Sequence, residues 1–290
     1  MARRRLVGSM DDTTYDLAGH RVRRMGFGAM QLPGPGVFGP PRSRDDAIAV
    51  LRRAVEAGVN HIDTAQFYGP DVANELIFDA LHPYPDDLVL VSKVGARRDA
   101  AGSWLPAQRP AELRAGVQAN LESLGIESVH VVNLRRHPDS DVSLDDQLDA
   151  MVELREEGLI GAIGLSSVDL GEYRRARART EIACVQNEFN LADRTGLDVL
   201  EATREDRVAY VPFFPLGSAF HPVNPVLGAA SVTAVARRLD VTPAQVALAW
   251  LLQLSPNVLL IPGTSSPAHL EENLAAADVD LDQAALIAIG

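Results

Sequence analysis

Lysine and cysteine are the scarcest features of this 290-residue sequence. Of 27 basic residues only Lys93 is a lysine, and Cys184 is the single cysteine. A lone cysteine excludes an intrachain disulfide framework and suits a reducing compartment, so the expected location is cytoplasmic. No Cys/His spacing points to a metal, so none is expected, and Cys184 reads as a buried structural thiol. No apolar run is long enough to span a bilayer. The basic start is followed by acidic, polar sequence rather than an apolar core, so residues 1–12 read as a poorly ordered segment and not a signal peptide. A net charge of -12 argues against nucleic acid and against anionic membranes as partners, while leaving room for a local phosphate pocket.

With 47% apolar and 23% charged residues, the composition is that of an ordinary globular protein. No compositional break marks a second domain, so a single domain over 1–290 is expected. A β-hairpin is expected over 15–24 with Gly19 near its turn, then a glycine-spaced strand over 25–30 and a Gly/Pro-rich loop over 31–41. Helices over 44–57, 72–81, 110–124, 144–157, 169–178, 197–205, 229–239, 243–254 and 267–276 alternate with strands over 59–62, 88–92, 129–134, 161–165, 182–185, 208–211 and 258–261. Strands apolar on both faces and separated by helices imply a parallel sheet. With residues 26–30 as the eighth strand, the fold class is α/β, a (β/α)8 TIM barrel with a short N-terminal hairpin. No Gly-x-Gly-x-x-Gly opens a helix after the first strand, which counts against a doubly wound nucleotide-binding fold.

The chain is organised around residues 58–69, GVNHIDTAQFYG. The strand ends in Asp63, and Tyr68 follows five residues later. A carboxylate at a strand end with a phenol in the next loop suits the C-terminal rim where barrel enzymes keep their sites. The plain alternative is a capping Asp and a packed Tyr. Lys93 sharpens the choice, because a chain that otherwise uses Arg has kept one Lys at the end of the next strand. A compact ammonium beside a phenol favours the phenolate, and a carboxylate keeps the ammonium charged and fixed.

These residues resemble the aldo-keto reductases over about 22–281. The phrases that carry the resemblance are Met25-Gly-Phe-Gly-Ala-Met30, Asp63-Thr-Ala-Gln-Phe-Tyr-Gly69, Lys93, Gly161-Ala-Ile-Gly-Leu-Ser166, Val185-Gln-Asn-Glu-Phe189, Pro212-Phe-Phe-Pro-Leu-Gly217 and Ile261-Pro-Gly-Thr264 through Glu272-Asn273. Each is weak alone, but the ordered set is specific. The resemblance implies a barrel oxidoreductase that moves a hydride from NADPH to an aldehyde or ketone without a metal. It implies Tyr68 as general acid, Lys93 as the cation that acidifies it, and Asp63 as the anchor of Lys93. The family's usual His after the fourth strand, in a phrase like Leu-His-Arg-Pro-Asp, is replaced by Leu134-Arg135-Arg136-His137-Pro138-Asp139. Reading from the strand puts Arg135 at the His position, and reading back from Pro138 puts Arg136 there, with His137 one step beyond. Strand alternation favours Arg135 as the pocket residue. An always-charged Arg can donate to a carbonyl or carboxylate but cannot shuttle a proton.

For the cofactor, the resemblance implies Gly28, Met30 and Ile261 among the binding residues, Ser166, Gln186 and Asn187 at the nicotinamide carboxamide and Phe213 stacked on its ring. Leu216, Gly217 and Ser218 would line the pyrophosphate. Gly263, Thr264, Ser265 and His269 would stand at the 2′-phosphate end, and Glu272 and Asn273 would hold the adenine. Gly263 and His269 stand where the family often has Lys and Arg, so NADPH is expected with NADH as the alternative. Gln31, Phe67 and Trp104 are the expected substrate contacts in an open pocket. A small-molecule carbonyl compound is the expected partner, with the protein a monomer or small homo-oligomer. The competing reading is a non-catalytic nicotinamide-nucleotide-binding regulatory subunit of the same fold, as in the potassium-channel β subunits. A metal-dependent barrel hydrolase finds no ligand cluster in the sequence.

Overall fold

The computed structural model describes residues 13–138, 140–217 and 224–290, so the expected disorder of 1–12 and the position of Ser218 lie outside the described residues. Strands β1 (Thr14–Leu17) and β2 (His20–Arg23) form an antiparallel hairpin turned at Ala18 and Gly19, both with positive φ. Asp16 tightens that turn by accepting the Gly19 amide at 3.0 Å. Then come β3 (Phe27–Gly28), β4 (His61–Asp63) and β5 (Val89–Val94), the short pair β6 (Ala96–Arg98) and β7 (Trp104–Pro106), and β8 (Val129–Arg135), β9 (Ile160–Ser166), β10 (Cys184–Gln186) and β11 (Ala209–Tyr210). Seven of these make one curled parallel sheet in the order β3-β4-β5-β8-β9-β10-β11.

Residues 257–260 close the ring. The Tyr210 amide donates to Asn257 O at 2.8 Å, and the Leu259 amide donates to Tyr210 O at 2.9 Å. On the other edge the Gly26 amide donates to Leu260 O at 2.7 Å, and Leu260 returns a bond to Arg24 O at 2.8 Å. The Arg24 guanidinium staples this seam by donating to the carbonyls of Leu252, Ser255 and Val258. The expected strand over 258–261 is therefore present as parallel bridges rather than a regular strand. The expected strand over 25–30 is likewise short, because Ala29 to Gln31 turn into a 3-10 helix that carries the chain off the sheet.

Helices α1 (Arg44–Glu56), α2 (Val72–Leu81), α3 (Pro110–Leu124), α4 (Leu144–Glu156), α5 (Leu170–Arg179), α6 (Leu197–Glu205), α7 (Ala230–Leu239), α8 (Pro243–Leu254) and α9 (Pro267–Ala275) surround the sheet, and α10 (Gln283–Ile289) follows. Six of their starts carry side-chain caps. Ser43, Ser143, Asp169, Thr242, Ser266 and Asp282 each accept the amide three residues on, satisfying donors the helix cannot. Two elements differ from the expectation. The β6–β7 hairpin, with its tip turned at Gly102, lies between the expected strand over 88–92 and helix over 110–124, where no element is expected, and neither is α10.

Side chains divide the interior in two. Inside the ring, Val89, Val91, Val131, Cys184, Ala209, Val211, Leu259 and Ile261 pack together, and Leu17 and Val22 of the hairpin plug the N-terminal end. Outside the ring, larger apolar clusters join sheet to helices. Interior filling plus the hairpin plug leaves the C-terminal rim as the open end. Across the helical surface, Arg44–Asp79, Arg114–Glu157, Arg175–Asp145, Arg179–Asp149 and Arg238–Asp282 pair. Exposed pairs of this kind are screened and weak. Among the described residues no helix is long and apolar enough to cross a membrane.

Candidate active site

The site grows from the ends of β4 and β5. Asp63 is the last residue of β4, and the chain then turns so that the Tyr68 amide donates to Ala65 O at 3.0 Å. Gly69 makes this turn possible. Its φ is +111°, and a Cβ there would fall 2.4 Å from the Cβ of Val72, so only glycine lets α2 start so soon after the tyrosine. Tyr68 is thereby held 4% exposed against Phe67 and Trp104, both edge-on, with ring centroids at 5.4 and 6.4 Å.

Lys93 enters from β5, 3% exposed. Its Nζ donates to Asp63 Oδ1 and, at 3.0 Å, to Thr64 O, and it lies 5.1 Å from the centroid of the Tyr68 ring. Gln186, at the end of β10, donates from Nε2 to Asp63 Oδ2 at 2.8 Å. Both carboxylate oxygens are thus engaged. Burial alone pulls the Lys93 ammonium down, but the Asp63 carboxylate and the Tyr68 phenol outweigh it and hold Lys93 above the ordinary lysine value. Lys93 is therefore a fixed positive charge and not a proton shuttle.

These groups face a cavity of about 440 Å³ at the C-terminal rim. Of the expected site residues, Gly28, Met30, Gln31, Asp63, Tyr68, Lys93, Arg135, Ser166, Gln186, Phe213, Leu216, Gly217, Ile261, Gly263, Thr264, Ser265 and His269 line it. Of the three residues offered for the missing His, Arg135 lines the cavity. Arg136 turns away to pair with Glu172 at 3.0 Å, and His137 is not among the lining residues. Phe67 also does not line it, being packed into the core behind Tyr68. Trp104 stands just outside, its indole spent on Phe67, Tyr68 and two guanidinium groups. Asn187 is consumed by Val168, accepting its amide at 3.1 Å and donating to its carbonyl at 2.7 Å. Glu272 and the buried Asn273 sit on the later turns of α9 and do not line the cavity.

Sequence reading missed two supports. Thr64, whose carbonyl holds Lys93, donates from its hydroxyl to Asn74 at 2.8 Å. Asn74 donates to Asn120 at 3.0 Å, and Asn120 also accepts from Ser92. This buried chain ties the loop after β4 to α2, α3 and β5. Its signal was available as asparagines on the apolar faces of two helices. The second is Asn224, which donates to Leu216 O at 2.7 Å and accepts the Val226 and Leu227 amides, fixing part of the cavity wall.

The lining fits a nicotinamide dinucleotide. Phe213 offers a flat ring in the same lining as Ser166 and the Gln186 amide, whose nitrogen is anchored on Asp63 and whose oxygen can accept from a carboxamide. At the other end Thr264, Ser265 and His269 precede or open α9, where hydroxyl donors and free helix amides suit phosphate oxygens. Among the described residues no group of three or more His, Cys, Asp or Glu could hold a metal ion.

Comparison with known proteins agrees. The family model described as the Aldo/keto reductase family matches residues 24–289. Pyridoxine 4-dehydrogenase of Escherichia coli strain K12 is 51% identical over 282 residues, 96% of this chain and 97% of that protein. An uncharacterized oxidoreductase of Schizosaccharomyces pombe is 38% identical over 261 residues, 90% of this chain and 83% of that protein. Among solved structures, a thermostable aldo-keto reductase in complex with the inhibitor epalrestat superposes with a TM-score of 0.80 at 28% identity, covering 95% of this chain and 98% of that one. An aldo/keto reductase from Klebsiella pneumoniae in complex with NADP and acetate gives 0.79 at 25% identity, covering 96% and 94%. The chain belongs to the aldo/keto reductase family and is an NAD(P)H-dependent oxidoreductase with a small-molecule carbonyl as its substrate.

Proposed function

We propose that Tyr68 is the proton donor of the reaction, Lys93 its electrostatic partner and Asp63 the anchor of Lys93. The observation that carries this reading is the buried Asp63–Lys93 pair with its ammonium 5.1 Å from the Tyr68 ring centroid, at the wall of the cavity. NADPH, when bound, supplies the hydride. Tyr68 donates its proton to the carbonyl oxygen as negative charge develops there. Lys93 stabilises that charge without reorganising, because Asp63 and Thr64 O already fix it. Gln186 keeps Asp63 from turning away. Ser166, Gln186 and Phe213 would hold the nicotinamide, and Thr264, Ser265 and His269 the 2′-phosphate end. With no Lys or Arg lining that end among the described residues, the preference for NADPH over NADH is modest.

The 51% identical pyridoxine 4-dehydrogenase supports an aromatic aldehyde of the pyridoxal type, or the matching alcohol in reverse, as the substrate. The single, buried cysteine supports a cytoplasmic location, with the enzyme a monomer or small homo-oligomer. The test is NADPH oxidation with pyridoxal, 4-nitrobenzaldehyde or 9,10-phenanthrenequinone. Turnover should fall about 10²-fold or more in Tyr68→Phe, the span general acid catalysis commonly supplies. Tight NADPH binding with no turnover on any of them would instead favour the regulatory-subunit reading.

A further inference from the structure

Arg135 is the residue at which this site departs most from its family's pattern. Its backbone is rigid. Residues of β8 and β9 are in register at Arg135 and Ser166, and the Arg135 carbonyl accepts from the Gln108 side chain. Its side chain lines the cavity with Tyr68 and Lys93. Among the described residues its guanidinium has no hydrogen-bond acceptor and no carboxylate; its one recorded partner is the Trp104 ring, 5.4 Å from Cζ to centroid. Stacking orients a guanidinium while leaving its N–H donors unspent.

Two neighbouring arginines show the contrast. Arg98 packs on the same indole at 4.0 Å, but its donors are taken by the carbonyls of Val37, Gly36 and Gly102. Arg136, next along the chain, is paired with Glu172. Arg135 alone of the three keeps a free fork, and that fork faces the cavity. The lining's charges do not balance either. Among the described residues Asp63 is its only carboxylate, and both Asp63 oxygens are engaged by Lys93 and Gln186, so no described carboxylate compensates the Arg135 charge. In a chain of net charge -12, an unpaired cation held rigid at the cavity wall is a built receptor for an anionic oxygen.

We propose that Arg135 determines substrate specificity by binding an acidic oxygen, a carboxylate or a phenolate, carried close to the reacting carbonyl. This rests on the reductase reading and narrows its substrate to acidic carbonyl compounds. Arg135 binds the acidic group and Tyr68 protonates the carbonyl oxygen, so the two residues fix the substrate at two points.

The test has a binding arm and a turnover arm. With the protein saturated in NADP, calorimetry measures the affinity of benzoate against its neutral counterpart benzamide. Benzoate should bind about tenfold tighter or more, and Arg135→Gln should cut the benzoate-to-benzamide ratio about ten- to hundredfold, the range of a charge-assisted hydrogen bond. Arg135→Lys, a point charge without the fork, should recover part of it. An unchanged ratio in Arg135→Gln, or equal affinities in the native protein, overturns the proposal. In the turnover arm, kcat/KM for 2-carboxybenzaldehyde and for 2-hydroxybenzaldehyde is divided by that for 2-methoxybenzaldehyde, which separates carboxylate from phenolate. Both quotients near one, falling no further in Arg135→Gln, overturn it as well. Absence of turnover on all three aldehydes with the benzoate preference intact would sink the reductase reading and leave the anion receptor standing.

Discussion

Replacing His61 by Gln should flatten the acid limb of the stability curve. His61 lies in β4 two residues before Asp63, 1% exposed, and its Nδ1 has no hydrogen-bond partner among the described residues. Gly26 leaves it just enough room, since a Cβ there would sit 2.8 Å from that nitrogen. Burial lowers its pKa from 6.5 to about 4; the Asp63 carboxylate resists this and the Lys93 ammonium adds to it. Between those two values the unfolded chain binds a proton that the folded chain refuses. Unfolding therefore takes up a proton, and acid favours it. The imidazole's contribution is complete above pH 6.5 and is lost on descent to about pH 4, a total of ~3 kcal/mol, with about 2 kcal/mol gone by pH 5. The assay is urea unfolding at pH steps from 7.5 to 4. The glutamine adds an offset that does not vary with pH, so the quantity read is the pH dependence of the difference between the two curves, in which the carboxylates common to both proteins cancel. Parallel curves from pH 7 to 4.5 would falsify the burial argument for His61.

Two further outcomes follow from the same interior. Lys93→Met strands the buried Asp63 carboxylate and should destabilise the fold by roughly 3–5 kcal/mol in urea unfolding, with Asp63→Asn in the same chain recovering most of that; equal instability of single and double variants would refute the pairing argument. Burial, followed by the Asp63 charge, pushes the Cys184 thiol up to about 12, so Ellman's reagent at pH 8 should label it only as fast as the protein unfolds, and prompt labelling of the native protein would contradict this.

What the sequence disclosed followed from periodicity and strand ends. The helices from α1 to α9 could be read within a few residues because each has an apolar stripe and α1, α4, α5, α8 and α9 open on a capping side chain, and Asp63 and Lys93 stood near strand ends, with Tyr68 in the following loop, where barrel sites form. The β6–β7 hairpin was hidden because its strands have three residues each and are half-exposed, leaving no alternation to see. Choosing among Arg135, Arg136 and His137 needed the coordinates, since only the acceptor on α5, Glu172, shows why Arg136 turns outward. Asn187 misled for a related reason. Its amide can serve a ligand or its own backbone surroundings, and it serves Val168.

The solitary lysine also shapes how this protein meets reagents and modifying enzymes. Its outer cations are guanidinium groups, and Lys93, the one ε-amine, is walled in by Asp63, Thr64 and Tyr68. Acylating dyes, aldehyde crosslinkers and lysine acetyltransferases therefore find no side-chain target on the native fold. Tethering the protein to a solid support has to use carboxylate or arginine chemistry instead.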